Sequence, residues 1–201
     1  INTTYYWKVV ATDPSGSKTS SVMNFTYMGP MWSYETEGNP SPPPTLVAVS
    51  ADGEYIAVGS DDDNAYFFDK DSSTPLWSYE TGNYVSSIAL SGDGEYIVVG
   101  SQDDKVYLFE KDSNTPLWSY TTGSDVISVA ISTDGEYIVV GSSDYKVYFF
   151  DKDSSTPLWS YETGSYGVLV AISADGEYIV AGSHDDKIYL FDKDSNTPLW
   201  S

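Results

Sequence analysis

The apolar positions of this chain fall into short runs with two alternating textures. "EYIVVGS" (95–101) and "KVYLFEK" (105–111) hold continuous β-branched and aromatic stretches. "SSIALS" (86–91) alternates small and apolar residues, and "LWSYTTG" (117–123) puts Trp118 and Tyr120 on one side with Ser119 on the other. Clusters rich in Gly, Asp, Asn, Ser and Pro ("GDG", "QDD", "DSNTP") separate the runs, and nothing has a helical period. Runs of this length and composition between such breakers read as strands. A continuous run needs apolar cover on both faces of its sheet, whereas an alternating run is half solvated.

The same order of runs recurs. The Gly of "DGEY" stands at Gly53, Gly94, Gly135 and Gly176, and 94−53, 135−94 and 176−135 are each 41. Trp77, Trp118, Trp159 and Trp200 keep the same step. "MWSYETEG" around Trp32 repeats "LWSYETGN" around Trp77 at a distance of 45, and the four added residues fall in the proline-rich "GNPSPPPT". Four strands in each repeat of about 40 residues are the sequence mark of a β-propeller blade. The expected fold is therefore all-β: four blades over 46–201, about 46–86, 87–127, 128–168 and 169–201, after a clasp strand and Pro-rich connection at 30–45. A solenoid or a sandwich fits the repeat less well.

Units ending in "FDKDSSTPLWSYETG" resemble the blades of the WD40-like and quinoprotein-like (PQQ-like) propellers over about residues 30–201. That resemblance implies a scaffold and binding platform, and a full set of seven or eight blades. Two departures bear on activity. Pro75, Pro116, Pro157 and Pro198 stand where quinoprotein blades carry a Gly after the Thr, which argues against a quinone cofactor. The Gly-His and Trp-Asp dipeptides of WD40 blades are also missing. Residues 1–29 resemble the last two strands of a fibronectin type III domain, a partial sandwich hairpin turning at "DPSG" (13–16). "NTPLWS" at 196–201 reads as the opening of an outermost strand. Further blades, or blades shared between two chains, are expected beyond it.

Charge narrows the partners. Nine Lys and no Arg oppose 30 acidic residues, for a net charge of −21 over 201 residues. Such a chain neither releases phosphate counterions from nucleic acid nor settles on an anionic bilayer. No apolar run reaches the ~18 residues of a membrane span. With no Cys, disulfides and thiolate chemistry are excluded, and His184, the single His, cannot form a His pair. No catalytic constellation is present, and a non-enzymatic role is expected.

Copies of the repeat differ mainly in the turns between second and third strands and in the loops between blades, which share one rim. A ligand site is expected there, on Asp62, Asp63, Asp103, Asp104, Asp144, Tyr84, Tyr166 and His184. The Asp192, Asp194 and Asn196 spacing resembles half a calcium loop, without its Gly and final Glu; the alternative is a turn capped by its own side chains. Calcium is thus the one metal considered. Asn2 and Asn24 head glycosylation sequons. Together with the fibronectin-like hairpin they point to a secreted or cell-surface protein that binds a protein or glycan partner. The alternatives are self-assembly into a fibre or surface layer, and an enzyme on a propeller scaffold.

Overall fold

The computed structural model describes residues 3–7, 10–13, 16–19, 23–27, 32–36 and 46–201, with side chains placed in the last two ranges. Every regular element among them is a strand. The chain divides into two units, 1–34 and 35–201.

In the first unit β1 (Thr3–Trp7) pairs antiparallel with β4 (Met23–Tyr27), and β2 (Val10–Asp13) with β3 (Gly16–Thr19). Thr3 opposes Tyr27 and Asp13 opposes Gly16, and residues 14–15 of the expected turn lie outside the described residues. These two strand pairs do not by themselves show a fibronectin domain. Asn24 lies in β4, whereas Asn2 falls outside the described residues. The expected clasp strand is described only over 32–36, and those residues belong to no strand.

The second unit contains four antiparallel sheets. The first joins β5 (Leu46–Val49), β6 (Tyr55–Gly59), β7 (Asn64–Asp69) and β8 (Trp77–Glu80) in chain order. The second joins β9 (Val85–Leu90), β10 (Tyr96–Ser101), β11 (Lys105–Glu110) and β12 (Trp118–Thr121). The third joins β13 (Val126–Ile131), β14 (Tyr137–Ser142), β15 (Lys146–Asp151) and β16 (Trp159–Glu162). The fourth has β17 (Leu169–Ile172), β18 (Tyr178–Ser183) and β19 (Lys187–Asp192), with Trp200 bridged to Leu190 where a fourth strand stands in the others.

The core lies between sheets. Ile97, Val99, Tyr107 and Phe109 pack on Ala57, Ala65 and Phe67 of the first sheet. Their neighbours Val98, Val106 and Leu108 face the other way, onto Ile138, Val140, Tyr148 and Phe150 of the third. The third-to-fourth interface repeats this, with Val139, Val147 and Phe149 against Ile179, Ala181, Tyr189 and Phe191. Each continuous apolar run of the second and third sheets thus serves two interfaces at once, as a propeller stack requires. In β8, β12 and β16 half-buried and exposed residues alternate, so the fourth strand is the outer edge.

Aromatic rings fill the space near that edge. Trp159 stacks on Phe149 at 5.0 Å between centroids and reaches Phe191 of the next sheet at 5.2 Å. The indole N–H groups of Trp77, Trp118 and Trp159 donate to the carbonyls of Lys111, Lys152 and Lys193, each in the following sheet. A buried indole N–H needs such an acceptor, and the repeat provides one every 41 residues.

Candidate functional site

The two rims differ in how they use their polar side chains. On the rim carrying "DGEY" and "DKDSxTP", the polar groups serve the fold. Ser91 Oγ donates to Asp93 Oδ1 at 2.7 Å and accepts the Tyr96 N–H, while Asp93 Oδ1 also accepts the Glu95 N–H. Gly94 follows with φ of 72°, a left-handed conformation that glycine adopts without strain. Burial raises the Asp93 pKa, but these hydrogen bonds outweigh it and hold the carboxyl below its usual range. Lys111 then pairs with Glu95 at 2.6 Å, tying one turn to the next hairpin, and Lys70–Glu54, Lys152–Glu136 and Lys193–Glu177 repeat the tie. Asp192 Oδ1 caps the Asp194 N–H at 3.0 Å, and Asn196 Nδ2 donates to the Ser160 carbonyl. Of the residues with half-calcium-loop spacing, the side chains of Asp192 and Asn196 are thus used by the turn. No group of three His, Cys, Asp or Glu among the described residues is placed to hold a metal.

On the other rim the side chains of the turns and loops split into three roles. Asp103 Oδ1 accepts the Lys105 N–H at 3.0 Å, and Oδ2 accepts both the Tyr107 hydroxyl at 2.5 Å and the Gly82 N–H at 2.9 Å. Gly82 closes the preceding sheet, so this carboxylate links two blades. Asp144 does the same for Tyr148 and Gly123, and Asp62 holds Asn64 and Tyr66. Asp185 makes a third link between blades, to Tyr189 and Gly164, and sequence reasoning passed it over although it stands 41 residues after Asp144. Burial, then the hydrogen bond to aspartate, pushes Tyr189 up to about 12; Tyr107 and Tyr148 are raised further for the same reasons. The Tyr189 hydroxyl in turn holds Asp185 below the usual carboxylate range.

Asp63 and Asp104 take a second role, in the backbone. With φ of 68° and 69° they occupy left-handed turn positions, and their carbonyls accept the N–H and hydroxyl of Thr81 and Thr122. Asp tolerates this region better than most residues. Tyr145 fills the same position at φ 73°. Asp61 and Asp63 each retain one buried carboxylate oxygen that accepts no hydrogen bond.

The third role falls to side chains that the fold does not use. The N–H groups of Gln102, Ser143 and His184 donate to the carbonyls of Tyr84, Asp125 and Tyr166, so each between-blade loop is paired with the turn of the blade that follows. Tyr84, half exposed, and Asp125 line a cavity of about 390 Å³ with Leu46, Gln102, Ile127 and Ser143. It spans the first strands of three consecutive sheets. No side-chain hydrogen bond or ion pair among the described residues engages the Asp125 carboxylate. One blade on, Tyr166 stacks on His184 at 4.8 Å between ring centroids. Of the expected ligand residues, Tyr84 lines this cavity, while Tyr166 and His184 are exposed one blade on. Asp125 was missed. Its signal was available, since it replaces Tyr84 and Tyr166 at a position where the other copies carry an aromatic ring.

A family model described as outer membrane protein assembly factor BamB matches residues 61–201, and one described as WD domain, G-beta repeat matches residues 35–69. No curated protein matches the chain. Among solved structures, Kuenenia stuttgartiensis hydrazine synthase superposes with a TM-score of 0.65 at 20% identity over 77% of this chain. The match spans 47% of that protein's chain, and at this identity the likeness is one of fold.

Proposed function

The chain belongs to the propeller-repeat family described as outer membrane protein assembly factor BamB, and on that footing we propose that it is a non-catalytic binding module whose variable rim receives the partner at the Tyr84–Asp125 cavity. One observation carries the reading. The rim of repeated sequence spends its carboxylates, hydroxyls and lysines on its own turns, whereas at the cavity a carboxylate, an aromatic face and an apolar floor converge without a structural task. A scaffold with one self-satisfied rim and one unengaged pocket is suited to recognition.

The pocket chemistry selects a ligand with an apolar stem and a positive head. Asp125 offers the counter-charge, Tyr84 a ring for a cation–π contact, and Leu46 and Ile127 the apolar floor. Lysine or arginine side chains of a partner protein meet this description, and the net charge of −21 steers such partners toward the module. The same reading puts the protein outside the cell or on its surface. Its support is the acidic composition and the fibronectin-like sequence of residues 1–29; protease accessibility on intact cells tests it.

Calorimetric titration of the purified protein with a panel of lysine- and arginine-containing peptides tests the module itself, with calcium and oligosaccharides in parallel. Tyr84→Ala and Asp125→Asn are each expected to weaken peptide binding about tenfold, near 1.4 kcal/mol, with the melting temperature unchanged. Binding that survives both substitutions, or occurs only with sugars or calcium, would overturn the assignment.

A further inference from the structure

The rim that spends its polar groups on its own turns leaves one hydroxyl per repeat over. In each "DSxTP" turn the first Ser caps the Thr: the Oγ atoms of Ser72, Ser113 and Ser154 accept the N–H groups of Thr74, Thr115 and Thr156 at 3.0, 3.0 and 3.1 Å. Thr197 keeps the same turn, with its N–H on Ser195 Oγ at 3.0 Å. The Thr side chains themselves are exposed, and no hydrogen bond among the described residues reaches their hydroxyls. The position before them differs between copies, Ser73 and Ser155 against Asn114 and Asn196, whereas Thr-Pro stands in all four. A β-branched residue suits the extended backbone that Pro imposes on the residue before it. Val would meet that need equally, so the fold accounts for the branch and not for the hydroxyl. Beside each Thr-Pro a leucine is open to water: Leu76 is 53%, Leu117 51% and Leu158 54% exposed. Each leads into an outer strand, β8, β12 or β16, whose far edge has no strand partner among the described residues. Such edges are where other chains pair.

We propose that Thr74, Thr115 and Thr156 are acceptors for O-linked sugar, with Thr197 a fourth of the same kind. The chemistry is glycosyl transfer from a sugar carried on a nucleotide or lipid phosphate, by a glycosyltransferase. The Thr oxygen attacks C1 of that sugar, and the new C1–O bond replaces the bond to phosphate. The phosphate ester leaves with the electron pair, and the hydroxyl proton passes to the transferase's base. Pro holds each Thr extended and protruding, as an acceptor entering an enzyme cleft must be. Phosphate is the poorer modification here. It would add two negative charges beside Asp69 and Asp71, or Glu110 and Asp112, while Lys70 and Lys111 are already paired with Glu54 and Glu95. A neutral sugar meets no such repulsion. It is bulky and solubilising, and at this position it shields the exposed leucine and the open strand edge. The turns lie on the rim opposite the Tyr84–Asp125 cavity, so this inference stands or falls apart from ligand binding there.

Lysine-specific cleavage of the protein isolated from the cells that make it gives peptides 71–105, 112–146 and 153–187, each with the acceptor Thr as its fourth residue. Mass spectrometry is expected to find sugar increments on these peptides, placed by electron-transfer fragmentation on the Thr. Thr74→Val, Thr115→Val, Thr156→Val and Thr197→Val together should remove them. Made without glycosylation in a cell-free system, that variant should melt with the wild type made in the same way. A lower melting temperature gives the hydroxyls a structural task and overturns the proposal. So do unmodified peptides from the native protein, phosphate in place of sugar, or sugar confined to Ser73 and Ser155.

Discussion

Replacing Tyr148 by Phe deletes one hydroxyl and nothing else. That hydroxyl donates to Asp144 Oδ2 at 2.5 Å, and the Tyr148 side chain is only 5% exposed. The carboxylate keeps the N–H groups of Lys146 at 3.1 Å and Gly123 at 2.7 Å. A hydrogen bond to a charged group is worth about 1.5–3 kcal/mol, and water reaching the turn recovers part of it, so Tyr148→Phe should cost about 1–2 kcal/mol. Asp144→Ala removes all three bonds and strands a buried hydroxyl together with the N–H that closes the preceding sheet, for about 3–4 kcal/mol. The double variant should cost less than the sum by about 1–2 kcal/mol, the value of the one shared bond. Urea unfolding followed by tryptophan fluorescence at pH 7 measures all four corners of the cycle. A coupling below about 0.3 kcal/mol would refute the claim that this aspartate is a strut between blades and return it to the list of free ligand groups.

Further outcomes follow from the same geometry. Gly100→Ala should destabilise by about 1–3 kcal/mol, because a Cβ there falls 2.5 Å from Cγ1 of fully buried Val126; denaturant midpoints read this directly. Tyr145→Asp, which installs the residue found in the other three copies at this left-handed position, should raise stability by about 0.5–1 kcal/mol in the same assay. Stability should be level from about pH 5 to 9. Because the Tyr189 pKa is raised from 10 to about 12, its contribution is complete below pH 10 and is lost as pH climbs through 12. Asp52, Asp175 and Asp185 are lowered, chiefly by hydrogen bonds from Ser50, Ser173 and Tyr189, so their contributions are complete above the usual carboxylate range and are lost as pH falls from it through the lowered folded values. A pH series of unfolding midpoints checks both limbs, and Tyr189→Phe should flatten part of the alkaline one.

Much of the fold was legible in the chain because it is written in local periodicity. A run such as "YIVVG" has no polar face to give to water, so it had to be covered on both sides. Trp118, Ser119 and Tyr120 alternate because they sit on an outer strand, and the 41-residue step places each such strand against the next copy of its own environment. The site was less legible. Asp103, Asp125 and Asp144 are chemically identical and all lie on the variable rim. Sequence separation conceals what distinguishes them. Asp103 meets Gly82 across 21 residues, and Ser86 meets the Val126 carbonyl across 40. Such encounters exist only once one sheet has stacked on another.

The sequence by itself thus determined the all-β class, the repeat and the strand order within each blade, since each rests on residues close in the chain. Tertiary structure alone decided which rim carboxylates became struts and that Asp125 was left unengaged at the cavity. Those outcomes depend on where stacked sheets bring distant backbone donors, and no pattern within one repeat records which donor will arrive.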